Sequence, residues 1–319
     1  MRWRGSTTGS LTRHDYAFRA ESSYCVVMDH STHHGRHAAE IDWTAMAAQL
    51  ELEAEVLLPY VIETAARVAD LCRQDGIEVR RILDVGSGPG VATCELARHF
   101  PSATAVAADG SEALLERAAA RAEAAGLSGR VTTRHVDLPD GIERLGRADL
   151  IWMAMVLHHI GDEGAALRRL RRMLEPGGVL VVTEHGDPLR FLPEGAAPGL
   201  PGLTDRLAAA ETAWLEAMRA GLPDSTPSAG YPAMLEAAGF ELVVDRVTHV
   251  RLAAPLAVEA RRMVLGRVRR MRDTFAERLE ESVRDALDVL IDENHRLGIM
   301  RRPDVFLDAS RHIYIARAA

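Results

Sequence analysis

A doubly wound, mostly parallel α/β sheet with an added helical cap is the fold class the sequence predicts. Three observations carry that expectation. Short apolar segments alternate with helical segments from about residue 79 to residue 185, the mark of repeated βαβ units. A Gly-rich loop follows the first apolar segment. The alternation is then broken twice, by a Pro- and Gly-rich stretch at 186–229 and by a strongly helical stretch at 255–298.

The elements follow in order. Residues 1–40 are polar, rich in Arg, Ser, Thr and His, and read as a flexible tail. Met28 lies within this tail and could serve as a second start of translation. Asp42 is placed to cap a helix whose stripe runs through Leu50, Leu57, Val61 and Ala65 until Gly76 stops it, giving a cover helix over 41–76. Strands are expected at Arg81–Val85, Ala103–Ala108, Val131–Val136, Asp149–Val156 and Val179–Thr183. The helices between them are expected through Leu96, over Ser111–Ala125 and over Ala165–Leu174. Asp149–Val156 is nearly all apolar, as a central strand covered on both faces should be. Within the first interruption, Leu203–Met218 is amphipathic. A helix at Tyr231–Ala238 and a strand at Phe240–Val247 resume the pattern. Val264, Val268, Met271, Phe275, Leu279, Val283, Leu287 and Leu290 keep steps of three or four, and His312–Ala316 is the last strand. The domain reading is a core of 77–247 plus 311–319, with 186–229 and 248–310 inserted as a cap.

Composition narrows the function classes. Of 319 residues, 47% are hydrophobic and 26% charged, an ordinary globular balance. No apolar run approaches the ~18 residues of a membrane helix, so no membrane partner is expected. A formal net charge of -8 argues against nucleic-acid binding, since phosphates call for a basic surface. All 38 basic residues are Arg, so lysine chemistry of any kind is excluded. Cys25, Cys72 and Cys94 are widely spaced and form no C-x-x-C pair, which fits a reducing cytoplasm.

The densest signal is Asp84-Val85-Gly86-Ser87-Gly88-Pro89-Gly90, lying between a strand and a helix. Such a loop presents backbone N–H groups and a helix N-terminus to a ligand. A dinucleotide fingerprint needs a glycine where Val91 stands. Asp84 would repel a pyrophosphate but suit a cation.

This acidic-x-Gly-x-Gly-x-Gly pattern is similar to the first motif of class I S-adenosylmethionine-dependent methyltransferases, which have a Rossmann-like core. The later elements resemble that family in order: Asp109 after strand two, Asp137-Leu138 after strand three, Leu157-His158-His159-Ile160 after strand four, and Leu174-Glu175-Pro176-Gly177-Gly178 before strand five. The resemblance covers roughly residues 78–185. It implies S-adenosyl-L-methionine as cofactor, held by Asp84, Gly86, Ser87, Gly88, Asp109, Gly110, Asp137, Leu138 and Met153. Asp109 would meet the ribose hydroxyls and Asp137 the adenine amino group. It further implies methyl transfer to a small-molecule acceptor, with O-methylation of a partly apolar metabolite as the first expectation and N- or C-methylation as the alternative. A nicotinamide-dependent oxidoreductase and an inactive scaffold of the same fold are the readings from other classes.

A hydroxyl acceptor needs a base. His158, His159, Glu184 and His185 stand at the ends of strands four and five, on the ligand face of such a sheet. His159 and His185 are the candidate catalytic residues, with a loop-ordering or cofactor-adjacent role as the favoured reading of His159. No metal is expected. His30, His33, His34 and His37 lack a carboxylate or thiolate partner set and read as incidental. The run Arg261, Arg262, Arg267, Arg269, Arg270 and Arg272 reads as a solvated helix face balanced by nearby acids. Trp43, Phe191, Trp214 and Tyr231 are expected in the cap, as core or as walls of an enclosed acceptor pocket. The cap helix could also pair with a second copy, making a homodimer possible.

Overall fold

The computed structural model describes residues 43–197, 200–225 and 229–318. The polar tail with its histidines, Met28, Cys25 and the Asp42 cap lie outside the described residues, as does the side chain of Trp43.

Five strands run parallel: β1 (Arg81–Val85), β2 (Thr104–Asp109), β3 (Val131–His135), β4 (Ala148–Ala154) and β5 (Leu174–His185). The sheet order is β3-β2-β1-β4-β5-β7-β6, where β6 is Phe240–Leu252 and β7 is Leu307–Ala318. β7 lies antiparallel between β5 and β6. β6 therefore points along β1–β5 but touches only β7 in the sheet. Both last strands are longer than their sequence pattern implied, because each pairs over its full length with the other.

The side chains obey the two-residue period of a strand. Ile82, Trp152, Val179 and Val181 join one hydrophobic cluster, and Leu83, Ile151, Met153, Leu180 and Val182 join the other. Both faces of the central sheet are thus covered, which is why its strands read as continuous apolar runs. The first cluster also contains residues of α6 (Leu203–Ala220), α8 (Val258–Thr274) and α9 (Glu281–Ile291), so the inserted helices share one apolar core with the sheet.

Two expected long helices are each divided. The first becomes α1 (Trp43–Val56) and α2 (Leu58–Gln74). Pro59 stands in the first turn of α2, where its missing N–H is harmless, but inside a continuous helix its ring would strike the carbonyl four residues back. On α2, Val61, Ala65, Val68 and Cys72 keep the helical spacing and are buried, each large side chain contributing ~1.5–3 kcal/mol by leaving water. The stretch 255–298 breaks between α8 and α9, where Phe275 and Leu279 turn into the core. The remaining helices are α3 (Val91–His99), α4 (Glu112–Ala124), α5 (Glu163–Met173) and α7 (Tyr231–Ala237). Asp162 caps α5 by accepting the Ala165 N–H at 2.7 Å. No helix among the described residues is long and apolar enough to cross a membrane.

Candidate active site

The strand order reverses between β1 and β4, because β2 lies to one side of β1 and β4 to the other. Ligands of open parallel sheets bind outside the C-terminal strand ends at such a point. The Gly-rich loop leaves β1 there.

Its glycines have different reasons to be glycine. Gly86 has φ +71°, and a Cβ on it would lie 2.2 Å from Cγ2 of Val156, so this loop and the loop after β4 are in direct contact. Gly90 has φ +72°, and a Cβ there would come within 2.7 Å of the Ala118 Cβ on α4. Gly88 has φ +53° and open space where a Cβ would point. The loop is pinned by the Gly86 and Ser87 N–H groups, both donating to the Ala108 carbonyl.

Asp84 departs from its expected place. Its side chain is buried, and its carboxylate accepts the Thr93 hydroxyl at 2.5 Å. Burial raises its pKa to about 7, against the Thr93 hydrogen bond, with the nearby Asp109 adding to the rise. Through this bond it ties the loop to α3. Asp109, at the end of β2, is partly exposed. Its oxygens accept the Gly88 N–H and the Ser111 N–H, each at 2.9 Å. Burial raises its pKa, while these backbone donors oppose the rise. Gly110 follows beside it, and Asp137 is exposed close by, its Oδ1 being 3.8 Å from the position of a Gly110 Cβ. Leu138 is partly buried against the second apolar cluster. Met153 does not line this region: it is fully buried in the second cluster, because it pairs with Val85 and Val182 inside the sheet. The strand end itself is marked by Met155, whose φ of 58° is uncommon for a residue with a Cβ.

These residues have the chemistry to hold S-adenosylmethionine. The carboxylates of Asp109 and Asp137 at neighbouring strand ends offer acceptors to hydroxyl and amino groups. The open space at Gly88 lets a ligand approach the backbone.

The loops after β4 and β5 assemble a second group. His158 Nδ1 lies 2.5 Å from Glu184 Oε2, and Glu184 Oε1 accepts the Leu157 N–H at 2.9 Å. Both side chains are buried. Glu184 accepts the Leu157 N–H on its other oxygen, so Nδ1 of His158 is the ring nitrogen placed to donate to it. The ring of His159 lies 4.1 Å from that of His158, and the ring of His185 lies 4.9 Å from it. Burial, helped by the neighbouring His158, lowers the pKa of His159 to about 3 and that of His185 to about 2. Arg267 and Arg311 add to the effect on His185. Imidazoles that resist protonation so strongly are poor proton acceptors at neutral pH, which weighs against His159 and His185 as the bases expected from the sequence. The signal that could have found the pair was positional: a carboxylate at the end of β5 beside a histidine in the loop after β4. No group of three or more His, Cys, Asp or Glu among the described residues is placed to hold a metal ion.

The inserted segments reach this group. Arg219 of α6 donates to the His158 carbonyl at 3.2 Å and clasps Glu163 with bonds of 2.8 and 2.9 Å. Tyr231 donates to the same Glu163 at 3.0 Å, and Phe191 is core. Trp214 packs on Phe275 with ring centres 5.9 Å apart. The Arg run on α8 departs from the solvated face expected of it. Arg269 and Arg272 do form exposed pairs, with Glu293 and Asp288. Arg267 and Arg270 instead turn inward to Glu53 of α1, and Arg261 donates to the Leu256, Ile299 and Arg302 carbonyls. Arg311 of β7 also reaches Glu53, at 3.2 Å. Burial alone would raise the Glu53 pKa, but Arg267, Arg270 and Arg311 outweigh it and hold the value at about 2. A cavity of about 140 Å³ opens here, with Glu53, His185, Arg267 and Arg311 in its walls.

Comparison with known proteins finds methyltransferase relatives. A family model described as a methyltransferase domain matches residues 82–178. A trans-aconitate 2-methyltransferase of Pseudomonas aeruginosa is 32% identical over 58% of this chain and 59% of its own length. A demethylmenaquinone methyltransferase of Tropheryma whipplei is 30% identical over 50% of this chain and 64% of its own. The solved YcgJ protein of Bacillus subtilis is 17% identical with a TM-score of 0.46, covering 81% of this chain and 97% of that one. The chain spans between 26% and 64% of the length of the curated relatives it matches. The matched segment runs from β1 to the turn within β5 and includes the loop of Gly86–Gly90, Asp109, Asp137 and the His158 loop, so over residues 82–178 the chain is similar to a methyltransferase domain.

Proposed function

We propose that the protein transfers the methyl group of S-adenosylmethionine to a hydroxyl of a small-molecule acceptor, with His158 as general base and Glu184 as the residue that orients it. The observation that carries the proposal is the buried Glu184–His158 pair, held at 2.5 Å next to the loop that touches Gly86. The cofactor supplies an electrophilic methyl on a sulfonium whose leaving group is a neutral thioether. Gly86, Ser87, Gly88, Asp109, Gly110, Asp137 and Leu138 are the residues that would hold it. The chain's own part is then positioning and proton removal. Glu184 fixes the tautomer of His158, so that Nε2 can take the hydroxyl proton as the oxygen attacks. The imidazolium so formed is stabilised by the adjacent carboxylate. His159 and His185 stay neutral and add no competing charge. The cap helices close over the acceptor and exclude water, consistent with Arg219 reaching the catalytic loop. An N- or C-acceptor would make less use of the pair, since it has no hydroxyl proton to lose. A reducing cytoplasm remains the expected setting.

Calorimetric titration with S-adenosylmethionine, S-adenosylhomocysteine and NAD tests the cofactor. We expect binding of the first two in the micromolar range, ~7–8 kcal/mol, and its loss in Asp109→Ala with the fold unchanged. Binding of NAD alone would move the protein to the oxidoreductases. Unaltered affinity in Asp109→Ala would remove Asp109 from the site.

A further inference from the structure

Beside His185, five charged side chains from four elements meet in the interior. Glu53 Oε1 lies 3.3 Å from Arg267 and 3.2 Å from Arg311, Glu53 Oε2 lies 2.7 Å from Arg270, and Glu211 of α6 lies 2.7 Å from Arg267. Three guanidinium groups therefore face two carboxylates, leaving one positive charge in excess within this cluster. Asp187, on the cavity rim, does not cancel it: its side chain is 65% exposed, and it lies 3.3 Å from His249. Hydrogen bonding shows the same imbalance. Arg311 Nε and Arg270 Nη1 are buried with no acceptor among the described residues. A buried donor without an acceptor costs ~1–3 kcal/mol, more when it is charged. The cluster thus lacks an anion rather than a cation.

The cavity of about 140 Å³ that it borders has room for a small functional group, a bound water taking ~30 Å³. Its walls include Arg267, Arg311, His185 and Ser310, with Glu53 and Glu211 paired to the arginines and Asp187 at the rim. A second cavity of about 540 Å³ adjoins it through Asp187, Pro188 and Ser310, with Phe191, Leu192 and Leu203 among its walls. A small polar compartment, walled by Arg267, Arg311, Glu53 and Glu211 and backed by the positive surplus that Arg270 gives the cluster, thus opens beside a larger, mixed one. We propose that the methyl acceptor is a carboxylic acid, its carboxylate seated by Arg267 and Arg311 and its larger body in the adjoining cavity. This rests on the methyl-transfer reading and assigns the substrate class of that site. The carboxylate is the binding handle; the attacking hydroxyl lies at His158, whose ring is 4.9 Å from that of His185.

The test is calorimetry on the full chain, with and without saturating S-adenosylhomocysteine. The probes are 4-hydroxybenzoate and hexanoate, each against its neutral amide. We expect each acid to bind about tenfold or more tightly than its amide, the ratio a charge-assisted bond supports. Arg311→Gln and Arg267→Gln should abolish the preference and leave S-adenosylhomocysteine affinity unchanged. Arg311→Lys, which keeps the charge and guards against misfolding, should retain part of it. Equal affinity of acid and amide, no binding of either acid at about 10 mM, or a preference surviving both Gln variants overturns the proposal. Failure of S-adenosylhomocysteine to bind, with the acid preference intact and lost in Arg311→Gln, would overturn the methyl-transfer reading and leave the anion site standing.

Discussion

Glu53→Gln removes the one carboxylate that three guanidinium groups share. The magnitude follows from the Glu53 carboxyl, whose pKa falls from an ordinary 4.5 to about 2 in the folded protein. Each pH unit between those values is worth ~1.4 kcal/mol, so the ionised Glu53 contributes about 3 kcal/mol at neutral pH. Breaking a buried ion pair by removing one partner costs ~3–5 kcal/mol, which agrees. At ~2–4 °C per kcal/mol for a domain of this size, Tm should fall by ~6–12 °C. The sign of the pH dependence is fixed by the direction of the shift. The folded value lies below the unfolded one, so the stabilisation is complete above pH 4.5 and is lost as pH falls towards 2. At pH 3 only about 1.4 kcal/mol should remain. Urea unfolding of wild type and variant at pH 7, 5, 4 and 3 reads both features. A gap under about 1 kcal/mol at pH 7, or one that does not narrow by pH 3, would refute the account of Glu53 as an ionised hub.

Further outcomes follow from other parts of the site. Gly90→Ala should lower stability by ~2–4 kcal/mol, combining the left-handed backbone with a methyl pressed onto α4, while Gly88→Ala should cost only ~1–2 kcal/mol yet weaken S-adenosylhomocysteine binding. Thermal unfolding and calorimetry separate the two, and equal effects of both substitutions on binding would contradict the division of roles. Glu184→Gln should lower kcat by ~10²–10⁴-fold with cofactor affinity kept, because His158 loses the group that sets its tautomer. An unchanged kcat, measured as S-adenosylhomocysteine release, would mean that the acceptor needs no base.

The repeated strand–helix alternation, the Gly-rich loop and the acidic residues Asp109 and Asp137 were all legible in the sequence. They depend on local periodicity and on residues fixed distances from a strand end, and both are written along the chain. The division of the first long helix was legible too, in Pro59, although the apolar stripe on either side of it obscured the break. What the chain order could not express was which groups meet from distant segments. Asp84 looks like a ligand contact by its motif, yet Thr93 on the next helix captures it inside. Met153 stands near the strand end in sequence but points into the core, because the alternation of a strand sends successive side chains to opposite faces. The pairing of His158 with Glu184, 26 residues away, rests on a single close contact that chain order does not show. The Arg run on α8 reads as a surface by charge balance alone. Its inward turn at Arg267 and Arg270 depends on Glu53, more than 200 residues earlier, being carried to the same spot. Sequence by itself thus determined the parallel strands and the Gly-rich loop between β1 and α3, whose interactions are local. Tertiary structure decided the proposed base and the buried charge hub, because burial and pairing are properties of what surrounds a side chain rather than of its neighbours along the chain.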